Sequence, residues 1–432
     1  MREYRIITEP FEYTALTGLE IRKQVNGHAE ASVTMRIRDD RQEQYMGILS
    51  GQTWVKVMGA GSGEDGTDGV YTVLFHGVVT DFSFSHDGYE TILWLKLASG
   101  SIQMDIEPHF RVFQNGDVPC AGIGRKITST YPEGRAVYTE GEEDRTGGVL
   151  IQHMETDWEF LKRLAGRTGR YLVPDALKGT GYTVGLPGGI RRTPSMERIG
   201  IRMDMEECLR KFRNGMPSLQ PADMTELVVT DREVYQMGDS MLWHGKEDFI
   251  WRIHTEYDGA ECIHTYYLRT KEGIRVLPEV HGGLAGCSFD AVVTAVEKDR
   301  VQVEIPGDEW KAADGKKWFP YATVYSSPDG TGWYCMPEPG DSVRLYVPER
   351  EEDSFVLSAV HRETDVSRQK PDYKSLKTKY GKEILFTPDS IILTNNSGMM
   401  VELNDSEGIT VCSDKDIVIE AGDNLTISSQ NA

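Results

Sequence analysis

The C-terminal segment repeats. From Ile384 onward, short strands alternate with short polar corners, and each strand carries a pair of apolar residues two positions apart: Ile384/Phe386, Ile391/Leu393, Val401/Leu403, Ile409/Val411, Ile417/Ile419 and Leu425/Ile427. The last four pairs begin eight residues apart, at 401, 409, 417 and 425. Between them lie Asn404-Asp405-Ser406-Glu407-Gly408, Ser413-Asp414-Lys415-Asp416 and Ala421-Gly422-Asp423-Asn424, all residues that favour turns. A fixed β period marks a solenoid. Eight extended residues span about 26–28 Å at most, too little to wrap a full turn around their own core. Three chains, each giving one side per level, close a triangular prism with the apolar pairs on the shared axis. The alternative is an antiparallel meander packed on the preceding barrel. As a monomer that meander leaves one apolar face in water, which soluble proteins avoid.

Upstream, the chain reads as β, then α/β, then β again, so the expected fold is mainly β. Residues 1–100 alternate apolar and polar at Leu19/Ile21 and at Ala31/Val33/Met35/Ile37, the period of a half-buried strand. Val70 to Val79 and Thr91 to Leu97 flank the turn Ser85-His86-Asp87-Gly88. These strands suggest a small barrel or sandwich. Residues 101–180 form an α/β region. Its helix opens on Thr156-Asp157-Trp158-Glu159, with Thr156 as N-cap and Glu159 at the capping-box position. Trp158, Phe160, Leu161 and Leu164 give that helix its apolar side, and Gly169 stops it. A weaker helix is expected from Met205 to Phe212, capped by Asp204. Strands return between Leu227 and Val276, within a second barrel region over 181–283. Residues 284–361 hold about five short strands, the size of a small closed barrel. Residues 362–379 read as a polar linker around Pro371, and 380–432 carry the octads.

Charge and motifs narrow the function. The 47 Lys+Arg against 68 Asp+Glu give a net charge of −21. Nucleic acid is therefore an unexpected partner, because phosphate binding runs on Lys and Arg. An anionic membrane is disfavoured for the same reason. The N-terminal MREYRIITEPFEY lacks the apolar core of a signal peptide, and no apolar run approaches a membrane span. The six cysteines are scattered without a Cys-x-x-Cys pair, which reads as reduced thiols made in the cytoplasm. Gly61-Ser62-Gly63-Glu64-Asp65-Gly66 formally matches a dinucleotide fingerprint, but its acids repel phosphate and a strand follows, not a helix. Cys262, His264 and His254 lack the further ligand that zinc needs. Glu155, Asp157 and Glu159 could form a hydrolase acid pair, yet they occupy a helix start, where negative charge is favoured anyway. Asp204, Glu206 and Glu207 have the same explanation, and Glu142 to Asp144 read as a solvated loop. Nucleophile-elbow, zincin and P-loop motifs are absent. No metal or cofactor is expected, and a structural protein is favoured over an enzyme.

Three further segments carry a resemblance. The first is Trp318-Phe319-Pro320-Tyr321-Ala322-Thr323. Gly330-Thr331-Gly332-Trp333-Tyr334 follows, and then Met336-Pro337-Glu338-Pro339-Gly340-Asp341-Ser342-Val343. With Trp318, Pro320, Gly332, Pro337, Gly340 and Asp341 as its markers, this run resembles the oligonucleotide/oligosaccharide-binding-type (OB) barrel of contractile-tail spikes. The octads after it resemble the trimeric β-helix of the same proteins. Glu155 to Leu164 running into Tyr171-Leu172-Val173 resembles their hub, and Gly77-Val78-Val79-Thr80 its first barrel. The chain thus resembles the VgrG-like family, the fused hub and spike of phage tails, R-type bacteriocins and type VI secretion.

The resemblance implies a homotrimer whose two barrels per chain present six modules to a hexameric tail-tube ring. It also implies neighbouring baseplate proteins and a target cell envelope on firing. The chain would be made in the bacterial cytoplasm and become part of a virion or a released particle. The spike core would be the apolar pairs from Ile384 to Ile427. Two departures stand out. There is no room for a lysozyme domain between barrel and octads, and no His-x-His apex, so a separate tip protein is a candidate cap. The missing effector module leans toward a phage tail or bacteriocin. The rival expectations are a cell-wall hydrolase using Glu155 and Asp157 with the trimeric tail as a handle, and a receptor-binding fibre.

Overall fold

Alternation in Glu30–Ile37 puts Ala31, Val33, Met35 and Ile37 on one side of a strand, and all four are buried while the residues between them stay half-exposed. That strand lies inside a twelve-stranded sheet. The computed structural model describes residues 4–61, 71–88, 90–193, 198–311, 315–359 and 370–429. Most of the Gly61 to Gly66 loop and residues 362–369 of the expected linker lie outside them. The chain divides into two units, Met1–Ala359 and Val360–Ala432.

In the first unit the large sheet runs Tyr4–Glu9, Trp54–Gly61, Thr72–His86, Thr91–Ala98, Glu30–Ile37, Ala15–Gln24, Lys246–Tyr257, Cys262–Arg269, Thr225–Asp231, Arg198–Met203. Both strand sets expected from the sequence are present, and they are joined edge to edge. Residues 19–24 pair antiparallel with residues 252–257. The join works because Lys246–Tyr257 is long and bulges between Ile250 and Arg252. Its first part pairs with Ser240–Trp243, its last part with Ala15–Gln24, and its other side with Cys262–Arg269. Each half keeps its own core. One gathers Ile21, Val33, Val57, Phe75 and Leu95. The other gathers Leu227, Val229, Ile250, Tyr266 and Leu268.

Between the halves, helices Cys120–Thr128 and Asp157–Gly166 share a core with Leu172 and Tyr182. The following five strands run Phe319–Pro320, Arg300–Glu304, Ser288–Glu297, Ser342–Tyr346, Phe355–Leu357. A bridge from Tyr321 to Val356 brings the two end strands together. This small barrel shares its core with the Pro108–Phe113 and Leu150–Thr156 hairpin through Val112 and Ile151. Its marker residues make corners. At Gly332 φ is +150° and a Cβ would sit 2.4 Å from the Tyr325 carbonyl, so no side chain fits. Gly340, at φ +98°, donates its N–H to the Val293 carbonyl at 2.8 Å. The Asp341 carboxylate accepts from the Glu338 N–H at 2.8 Å. Pro337 is buried, Trp318 half-buried, and Pro320 sits exposed beside Arg300.

The second unit is a single antiparallel ribbon: Lys374–Lys377, Glu383–Phe386, Ser390–Thr394, Met400–Asn404, Gly408–Cys412.

Candidate functional site

The ribbon stacks its apolar pairs across strands. Leu376 faces Ile384, Ile384 faces Leu393, Leu393 faces Val401, and Val401 faces Val411. A second row runs Phe386, Ile391, Leu403, Ile409. Successive side chains of a strand point to opposite faces, so the two rows share one face. That face is uncovered within the chain. Ile384, Phe386, Ile391, Leu393, Leu403 and Val411 are all exposed, Ile409 is 73% exposed, and Val401 is half-buried. Leu376 joins the stripe although it lies outside the sequence repeat.

Corner chemistry sets this register. The Asn404 side-chain oxygen accepts from the N–H groups of Ser406 and Glu407 at 3.0 Å, and Gly408 follows at φ +85°. Asn395 does the same for Ser397 and Met399, ahead of Gly398 at φ +98° and its neighbour. Beyond Cys412 the pattern changes. Ile417, Ile419, Leu425 and Ile427 lie in an extended stretch with no strand partner among the described residues, and Ile427 is 82% exposed. Two octads thus hold both an uncovered apolar side and unpaired backbone, the edge that isolated proteins avoid presenting.

The hub helix is built differently. Thr156 Oγ1 accepts from the Glu159 N–H at 3.2 Å, and the Glu159 carboxylate accepts from the Thr156 N–H at 3.0 Å, closing the expected capping box. Trp158, Phe160, Leu161 and Leu164 are buried. The two acids of the hydrolase expectation are buried as well, each engaged by an arginine. Asp157 is paired with Arg111 and accepts from the Tyr131 hydroxyl at 2.7 Å and the Gln152 amide at 2.9 Å. Glu155 takes both arms of the Arg163 fork at 2.9 Å. Arg163 also donates to Glu351 of the small barrel at 2.7 Å, and Glu351 accepts from the Ile151 N–H at 2.7 Å. Burial pushes the Glu351 carboxyl above its ordinary range, and Arg163 pulls it back only in part. These carboxylates bolt the helix to the barrel. Arg111, Arg163 and Glu351 carry no motif in the sequence, because their partners lie up to 200 residues away.

Comparison with solved structures follows the same division. The chain matches an Escherichia coli protein described as a component of the type VI secretion system with structural similarity to T4 bacteriophage tail proteins gp27 and gp5. That match has a TM-score of 0.57 at 14% identity, over 83% of this chain and 100% of that one. It matches a chain of the Francisella PdpA–VgrG complex, half-lidded, with a TM-score of 0.59 at 9% identity, over 95% of this chain and 88% of that one. A lidless PdpA–VgrG complex gives 0.60 at 8% identity, over 95% and 98%. The chain thus has a VgrG-like fold. No protein-family model matches the sequence, and no curated protein matches it.

The remaining sequence candidates are placed as follows. Cys262 Sγ lies 3.8 Å from His264 Nε2, while His264 Nδ1 contacts the Thr255 hydroxyl at 2.7 Å. Burial lowers His264 to about 4, with Lys23 adding to the effect, and raises the Cys262 thiol to about 12. His254 instead reaches Glu20 at 2.9 Å. Among the described residues no three metal-ligating groups converge. Asp204 caps its helix through the Glu207 N–H at 2.9 Å. No helix among them is long and apolar enough to cross a membrane.

Proposed function

We propose that three copies of this chain form the hub and cell-puncturing spike at the baseplate centre of a contractile phage-tail-like injection machine. The observation that carries this reading is the uncovered apolar stripe of the ribbon, continued by two octads that have no strand partner among the described residues. Three such stripes meeting on one axis bury one another and pair every free edge. Ile384, Phe386, Ile391, Leu393, Val401, Leu403, Ile409, Val411, Ile417, Ile419, Leu425 and Ile427 then form a dry core. The two strand sets of each hub give six modules to a hexameric tail tube, and the OB-like barrel leads from hub to needle.

The role is mechanical rather than hydrolytic. Sheath contraction supplies force, and the spike supplies stiffness against the target envelope. The commitment of Glu155 and Asp157 to arginines supports this. The excess of acids, tripled in the trimer, keeps the assembly away from nucleic acid and favours basic partners within the machine: tube, baseplate proteins and a tip protein.

The test is Ile417→Asp, which places three carboxylates at one level of the axis. Light scattering is expected to give a trimer mass for the natural chain and a monomer for the variant. A trimer for both overturns the reading. On purified peptidoglycan no loss of turbidity is expected. A loss that disappears in Glu155→Gln would restore the hydrolase.

A further inference from the structure

In Ala15–Gln24 the core-facing positions read Leu19, Ile21 and then Lys23. The first two enter the apolar core. The third is a lysine, only 7% exposed, at a position where period-two alternation calls for an apolar residue. Its ammonium makes no hydrogen bond or ion pair among the described residues. The acid whose field reaches it is Asp175. That carboxylate is already engaged, because its Oδ1 accepts from the N–H groups of Leu177 and Lys178 at 2.9 Å. A buried cation without a hydrogen-bonded partner is costly, and native proteins keep one only where something meets it.

Lys23 opens onto a cavity of about 530 Å³, wholly within Met1–Ala359, and is the one residue of its strand that lines it. Arg135 and Lys178 add two more cations to the lining, Asp175 is its one acid, and Gln236 offers an amide. Thr183 and Tyr182 add hydroxyls, and the rest is apolar, including Val173, Pro174 and Met237. So a cavity with net positive charge sits in a chain of net charge −21. We propose that this cavity is a carboxylate-binding site, in which Lys23 meets the anion at the closed end and Arg135 holds it at the mouth. The apolar walls suit a carboxylate carried on a short hydrocarbon stem. Such a group comes either as a free small dicarboxylate or as an acidic side chain of a partner protein.

Burial lowers Lys23 to about 8, with Asp175 pulling the other way. An incoming carboxylate favours the charged amine, so binding near pH 8 takes up a proton. The groups near Lys23 are Asp175, Arg135 and Lys178 around the cavity, His264 two strands away, and His28, Glu30, Arg252 and His254 in a second cleft that Lys23 also lines.

The experiment is isothermal titration calorimetry on the full chain at constant ionic strength. One arm uses sodium succinate and the other an acetylated, amidated Ala-Glu-Ala peptide. At least one probe is expected to bind, at least tenfold more weakly in Lys23→Gln and more weakly in Arg135→Ala. The surface position of Arg135 makes the second variant safe for folding. The enthalpy at pH 8 is expected to depend on the ionisation heat of the buffer. Tighter binding of the peptide assigns the site to a protein side chain, and equal or tighter binding of succinate to a free acid. No binding by either probe, or equal binding by natural chain and Lys23→Gln, overturns the proposal. Ile417→Asp protein is expected to bind like the natural chain, so loss of the trimer and loss of the anion site are read separately.

Discussion

Glu30–Ile37 and Gly408–Cys412 carry the same signal, a short strand with apolar residues at every second position. In the hub strand Val33 is fully buried, whereas in the ribbon Ile409 is 73% exposed. The difference lies in what surrounds them. The hub strand is flanked by Ala15–Gln24 and Thr91–Ala98 in a sheet curled around a core that closes within one chain. Among the described residues the ribbon has five short strands and no second layer of its own. Period-two alternation therefore states that one face will be dry. Whether the cover comes from the same chain depends on how much chain is left to fold over it.

The largest expected effect breaks this comparison directly. Val33→Asp buries a carboxylate in a closed core, a change beyond the about 5–15 kcal/mol stability of a typical domain when repacking strain is added. The expected outcome is loss of folded, soluble protein. Ile409→Asp puts the same group on the open stripe. Here the hub is expected to keep its circular dichroism and melting temperature while the trimer mass is lost. If Ile409→Asp unfolds the hub as Val33→Asp does, the two regions are not independent.

The next effect is confined to the hub. Arg163→Met leaves Glu155 without its cation and Glu351 with only the longer Arg167 contact at 3.3 Å. Removing one partner of a buried pair costs about 3–5 kcal/mol. Urea unfolding is expected to show this as a lower midpoint with an unchanged trimer mass. Adding Glu155→Gln and Glu351→Gln to the variant is expected to recover part of the loss, because no unpaired charge then stays buried. An unchanged midpoint for Arg163→Met would mean that the bolt between helix and barrel is decorative.

The two regions also differ in how far they could be read in advance. In the ribbon the apolar pairs and Asn/Gly corners are local, so the pairing rows of Ile384 to Val411 follow the repeat. Leu376 escaped because Lys374–Lys377 holds one apolar residue and shows no period. The capping box at Thr156 and Glu159 is equally legible, being confined to four consecutive residues. By contrast, the pairing of Leu19 with Tyr257 and of Arg163 with Glu351 joins residues far apart in the chain. A single sequence carries no local trace of such contacts. Asp157 opens the helix as its acid pattern implies, but Glu155 lies in the preceding strand, Leu150–Thr156, and no motif marks the arginines that hold the two acids. Lys23 looked like one charge among many until the strand's alternation placed it inside.

Acid sharpens the comparison with the smallest of these effects. His264 is buried in the hub, and burial lowers it to about 4 from 6.5, with the positive charge of Lys23 adding to the shift. Between those values the unfolded chain holds a proton at this site and the folded chain does not. Falling pH therefore favours unfolding across that window, and stability is fully present only above about pH 6.5. For this one group the loss is up to about 3 kcal/mol at pH 4. Burial shifts His28, His76 and His153 in the same direction. The ribbon from 370 to 429 contains no histidine. The urea midpoint of the hub is thus expected to fall between pH 7 and pH 5, less steeply in His264→Gln, while the trimer mass holds over the same range. An equal slope in His264→Gln would remove this residue from the acid response. A trimer that dissociates in step with hub unfolding would instead show that the stripe is held together from the hub side.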